Sequence, residues 1–157
     1  MKIGIYKQRA KDVMSRDVVS IHSHTTVHEA LKLMVENRVS ALPVVDRNNR
    51  CTGVVSSSDL VELTKDLEDE LESLEEDPTI ELSLVKRLVS NTTHETVDDL
   101  MSGDVASVRP EALLSKVATT MLRNRVHRLP VLDTDDHVVG IISTMDILGA
   151  FADSAFE

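Results

Sequence analysis

The chain has 157 residues, of which 41% are apolar, and a formal net charge of -10. That apolar share supports one domain or two small joined halves and argues against disorder, while only three aromatic residues, Tyr6, Phe151 and Phe156, leave an aliphatic core. Without aromatic platforms for base stacking, and with an acidic balance that repels phosphate backbones and anionic lipid surfaces, neither nucleic acid nor membrane is expected as a partner.

The N-terminal stretch "MKIGIYKQRAKD" lacks the apolar run of a signal peptide, and no stretch reaches the length of a membrane span. A single cysteine, Cys51, excludes an internal disulfide framework, so the cytoplasm is the expected compartment. Cys51 itself reads as a buried, inert thiol on a strand.

In chain order, "VVSI" (18–21) predicts a short extended segment, and "TTVHEALKLMVENR" a helix with Val27, Ala30, Leu31, Met34 and Val35 at helical spacing. Thr25 and Thr26 are placed to start that helix, and Asn37 stands where a left-handed residue often closes one. "LPVV", the polar turn "DRNNR" and "CTGVV" predict a hairpin, Pro43 fitting the start of its first strand. A second helix is expected to begin at "SSSD".

Shifting the sequence by 87 residues lays Asp12–Leu63 on Asp99–Ala150 without a gap, about a third of the positions being identical. The second copy repeats every element. "VASV" (105–108) is extended, Leu114, Val117, Ala118, Met121 and Leu122 share a helical face before Asn124, and "LPVL", "DTDDH" and "VVGII" form a hairpin that leads into "STMD". The fold class is therefore α+β: two tandem β-α-β-β-α repeats (10–63 and 97–150) packed about a pseudo-two-fold axis, with clefts between them. One repeat alone is too short for a comfortable core.

Between the copies, residues 62–77 carry nine acids against one base, -8 of the total charge of -10. Leu60, Leu63, Leu67, Leu71 and Leu74, then Ile80, Leu84, Val85, Leu88 and Val89 beyond Pro78, predict an acidic helical insert over 64–96. It either lies on the chain's own core or serves as a dimer or docking surface.

Gly-apolar-apolar-Ser-x-x-Asp occurs twice at a strand-to-helix junction, ending in Ser56 and Asp59, and in Ser143 and Asp146. Two readings fit it. Ser-x-x-Asp is a capping box, and the same helix N-terminus can hold a phosphate while the aspartate accepts from ribose hydroxyls. His22, His24 and His28 lack the spacing of a closed metal centre, and no P-loop, Gly-x-Gly-x-x-Gly or nucleophile elbow occurs. No catalytic and no metal-ligating residue is assigned.

"LPVVD...GVVSSSDL" and "HRLPVLD...GIISTMDI", each preceded by "DVMSRDVVSI" or "DLMSGDVASV", resemble the cystathionine β-synthase (CBS) domain, here as a tandem pair or Bateman module. The resemblance implies a non-enzymatic regulatory sensor of an adenosine-containing ligand, AMP, ADP, ATP or S-adenosylmethionine, with no cofactor required. It implies ribose contacts from Asp59 and Asp146, and phosphate contacts from Ser56, Ser143, His127 and Arg128. The adenine wall would come from Val18, Ser20, Ile21 and Val44, and from Val105, Ser107, Val108 and Val131. The first repeat has Ser40 and Ala41 in place of His127 and Arg128, so unequal occupancy is expected. Family members commonly pair as homodimers, and a regulated protein partner is implied because the module carries no effector domain. The rival reading is a ligand-free interaction module that works through the acidic insert.

Overall fold

The computed structural model describes residues 4–59, 96–101 and 104–155. The insert expected over 64–96 lies outside the described residues except for Thr96. Two compact units form, and neither is one continuous stretch of chain: one takes residues 4–18, 46–51 and 104–155, the other 19–45, 52–59 and 96–101.

The second of these units holds a three-stranded sheet in the order β1 (Ile21–His22), β2 (Ala41–Val45), β3 (Cys51–Ser56), with Cys51 itself grouped in the other unit. β1 runs parallel to β2, pairing Ile21 with Val44 and His22 with Val45. The pairing starts three residues later than "VVSI" suggested, so residues 18–20 stand outside the ladder. The intervening helix, Val27–Asn37, buries Val27, Ala30 and Met34 against Leu42, Val44 and Val55, with Val97 completing the cluster. Residues 57–59 open the next helix.

The first unit repeats this plan with β4 (Arg128–Leu132) antiparallel to β5 (Val138–Ser143), and Val108 bridging parallel to Val131. Its α1 (Ala10–Val13) precedes the helix above, α2; α3 is Leu114–Asn124 and α4 Thr144–Ala155. Leu114, Val117 and Met121 of α3 meet Leu129, Val131 and Ile142 in the core. An N-terminal stretch joins this unit by backbone pairing. Ser15 N donates to Ile141 O and Ile141 N to Ser15 O, both at 2.9 Å.

The helix ends differ in one respect from the sequence expectation. Asn37 and Asn124 are the last helical residues, and the left-handed positions are Arg38 and Arg125, both at φ 53°. The asparagine amides instead reach back one turn, Nδ2 donating to Leu33 O and Thr120 O at 2.8 Å, a side-chain bond to the carbonyl four residues earlier in the last turn. Val35 and Leu122, counted on the apolar faces, are exposed at 76% and 79% in both copies, because the buried stripe is narrower than the periodicity implied.

Pro43 and Pro130 stand in the middle of their strands rather than at the start. Pro130 is paired with Ile141, whose N–H and C=O both turn away to Ser15. The proline's missing N–H would therefore have pointed to the other edge, where Val108 makes only one bridge, so no ladder bond is lost.

At the start of α2, Thr26 Oγ1 accepts from Glu29 N at 3.2 Å, the cap expected from the sequence. Thr26→Ala should cost about 1 kcal/mol in a urea titration, with the slope unchanged.

Candidate functional site

Each unit carries one Ser-x-x-Asp junction, and in both the serine and aspartate close on each other. Ser143 N donates to Asp146 Oδ2 at 2.7 Å, and Asp146 N donates to Ser143 Oγ at 3.1 Å. In the other unit Ser56 N lies 2.7 Å from Asp59 Oδ2, and Asp59 N lies 3.4 Å from Ser56 Oγ. The capping-box reading is thus realised at both places, and it holds each half-buried carboxylate at the positive end of a helix. One difference separates them. Ser56 Oγ also reaches Asp59 Oδ2 at 3.1 Å, whereas among the described residues no such bond forms between Ser143 Oγ and Asp146.

The strand before each junction brings in the remaining polar candidates. Arg128, half-buried at the first position of β4, is paired across the ladder with Ser143. His127 is exposed, and its carbonyl accepts from Thr144 N at 2.9 Å and Thr144 Oγ1 at 3.2 Å, which ties the α4 N-terminus to the β4 entry. In the other unit Ser57 N donates to Ser40 O at 2.8 Å, the same tie, but Ala41 is buried and no cation stands there.

The candidate adenine wall divides by burial. Val44 and Val131 are fully buried, and Ile21 and Val108 nearly so, as members of their units' cores. Val18, Val105 and Ser107 are half-buried and Ser20 is exposed. Val108 N donates to Pro130 O at 3.2 Å and Leu132 N to Val108 O at 2.9 Å, so this backbone is committed to the sheet.

His22, His24 and His28 do not converge. Among the described residues the cluster with metal-ligating potential is Asp133, Asp135 and His137, in the β4–β5 turn. Asp133 is held below its ordinary pKa by the His137 backbone amide, against a smaller opposing effect of desolvation; the Asp135 amide and the charges of His137 and Arg109 add to the lowering. The alternation Asp-x-Asp-x-His in "DTDDH" was the available signal, but a polar turn hides it.

Residues 10–66 and 97–153 match the family model of the CBS domain. The chain is 31% identical over 152 residues to the CBS domain-containing protein CBSX1, chloroplastic, of Arabidopsis thaliana, covering 94% of this chain and 64% of that relative. It thus spans just under two thirds of CBSX1. The crystal structure of the CBS-pair protein CBSX2 from Arabidopsis thaliana is similar at a TM-score of 0.77 and 28% identity, over 99% of both chains. A structure of CBSX2 in complex with AMP is similar at 0.70 and 29% identity, over 92% of this chain and 96% of that one. With two matched stretches that together cover more than half of its length, this chain belongs to the CBS domain family and carries the domain in tandem.

Proposed function

We propose that this chain is a regulatory sensor that binds an adenosine-containing ligand, with AMP the first candidate, and that the junction of β5 and α4 is its stronger site. The observation that carries the proposal is the pairing of Arg128 with Ser143 beside Asp146: a cation, a hydroxyl and a carboxylate on one edge of one unit.

The cap does not exhaust these groups. An ionised carboxylate has two oxygens and about four lone-pair directions, so Asp146 can keep the Ser143 amide and still accept from two ribose hydroxyls. Ser143 Oγ accepts from Asp146 N and retains a proton to donate to phosphate, next to the Arg128 charge. At the other junction the Ser56 hydroxyl is directed at Asp59 Oδ2, and the cation is missing. Weaker binding is expected there. Half-buried Val105 and Ser107 are the proposed adenine contacts in the first unit, and Ser20 in the second, because Ile21, Val44, Val108 and Val131 are taken up by the cores.

The similarity to AMP-bound CBSX2 supports an adenosyl ligand, and we take AMP as the first to test, before ADP, ATP and S-adenosylmethionine. No helix among the described residues is long and apolar enough to cross a membrane, which fits the proposed cytoplasmic setting. Binding acts by differential affinity: occupancy shifts the chain toward the arrangement that binds the ligand better, and no further than that difference allows. The output passes to a regulated protein or to a second copy of the chain. Met145, Leu148 and Phe151, exposed along α4, are the side chains we assign to a homodimer contact.

The test is thermal unfolding with and without AMP, ADP, ATP, S-adenosylmethionine and GTP. At about a hundred times its dissociation constant a ligand raises the midpoint by several degrees. The expected result is a shift with adenosyl ligands alone, lost in Asp146→Ala and in Arg128→Ala, and largely kept in Asp59→Ala. No shift with any nucleotide would overturn the sensor reading in favour of an interaction module.

A further inference from the structure

The turn between β4 and β5 places Asp133, Asp135 and His137 at alternate positions, with one ligand-capable atom from each within 4.8 Å of the others. The turn itself needs only the first of them. Asp133 Oδ1 accepts from Asp135 N and His137 N, both at 2.9 Å. The other repeat serves as an internal control: Asp46 Oδ1 accepts from Asn48 N at 2.8 Å and Arg50 N at 3.0 Å, with Asn and Arg standing where the second repeat has Asp135 and His137. Asn49 and Asp136 even share the left-handed backbone, at φ 66° and 63°. The same turn is therefore built without the Asp135 carboxylate or an imidazole.

The orientation of the His137 ring adds a second observation. Its Nε2 lies 3.0 Å from the carbonyl oxygen of Asn48. A carbonyl can only accept, so Nε2 carries the proton, and in the neutral ring Nδ1 holds the lone pair. Nδ1 lies 3.6 Å from Asp133 Oδ2, so the ring turns this nitrogen into the cluster. A charged ring fills that gap with its own Nδ1 proton, whereas a neutral ring leaves it to a cation, and a ring N–H anchored on a backbone carbonyl is the usual way an imidazole is oriented toward a metal.

We propose that Asp133, Asp135 and His137 form a binding site for a borderline divalent transition metal, for which Zn2+ and Co2+ are the probes. One imidazole nitrogen with two carboxylate oxygens suits such ions, whereas Ca2+ and Mg2+ favour all-oxygen sets. Around an ion bonded at about 2.1 Å, neighbouring ligand atoms lie about 3 to 4 Å apart. The Asp133–His137 pair is already in that range, and the exposed Asp135 has only to close on it. Asp136, the remaining acid of the turn, is engaged elsewhere, its Oδ1 lying 3.1 Å from Arg109 Nη1. The site uses none of the residues assigned to the adenosyl ligand, so the two proposals stand or fall separately.

The experiment uses the metal-free full chain without nucleotide. Zn2+ is titrated calorimetrically in a weakly coordinating buffer, and Co2+ is followed by its visible absorption. Saturable binding of one ion is expected, weakened at least about tenfold in Asp135→Asn and in His137→Arg. Both substitutions copy the first repeat's turn, so the fold is kept, and far-ultraviolet circular dichroism checks it. Replacing His22, His24 and His28 together with Ala should leave the binding unchanged. No saturable binding up to about 1 mM, or binding that survives His137→Arg undiminished, would overturn the proposal.

Discussion

Leu42→Ala and Leu129→Ala should each lower the free energy of unfolding by about 2–5 kcal/mol in urea titrations with unchanged slope. The two leucines correspond under the 87-residue shift, and each is among the largest fully buried side chains, at 0% and 1% exposure. Leu42 sits with Val27, Met34, Val44 and Val55 in one core, Leu129 with Val117, Met121, Val131 and Ile142 in the other. Truncation removes three carbons' worth of transfer free energy and leaves a cavity. These aliphatic walls are held by sheet and helix backbone, so they cannot fully collapse into it. Against a total of about 5–15 kcal/mol for a domain, either loss is large. Leu122→Ala is the control: that side chain is 79% exposed, and its truncation should move stability by less than about 0.5 kcal/mol. A comparably small effect at Leu129 would mean that β4 does not pack as described.

Gly140→Val should destabilise by about 3 kcal/mol, the upper end of what overpacking usually costs, and Gly140→Ala by less. A Cβ on Gly140 would lie 2.4 Å from Met14 Sδ, 2.9 Å from Met14 Cγ and 3.0 Å from Ser15 O. The thioether can swing aside. The Ser15 carbonyl cannot, because Ser15 and its strand partner Ile141 exchange two backbone hydrogen bonds at 2.9 Å, and moving one breaks both. Met14→Ala combined with Gly140→Ala should recover part of the loss, since it clears the tighter of the two contacts. Gly149→Ala gives the opposite sign. Nothing lies within 4 Å of a Cβ there, the position is inside α4, and up to about 1 kcal/mol of stabilisation is expected. A neutral Gly140→Ala would show that the N-terminal stretch does not close on β5.

The sequence alone determined what contacts between near neighbours encode. Apolar spacing gave α2 and α3, Thr26 the α2 cap, and the two Leu-Pro-Val stretches with their polar turns the hairpins. The 87-residue register gave the tandem repeat and its twin Ser-x-x-Asp junctions, which the structure builds as matching caps. Such features depend on residues two to four positions apart, whose relative placement the local backbone dictates.

Only the tertiary structure decided which distant stretches share a core. Ser15 pairs with Ile141, the 46–51 turn joins the unit of the second repeat, and Val97 packs with the first. The same level turned Ile21, Val44, Val108 and Val131 into the cores, left Val35 and Leu122 exposed, and set His137 against the Asn48 carbonyl 89 residues away. None of this is periodic. It follows from which apolar surfaces exclude the most water together while every buried backbone group finds a partner, and that balance is struck only once the whole chain is folded.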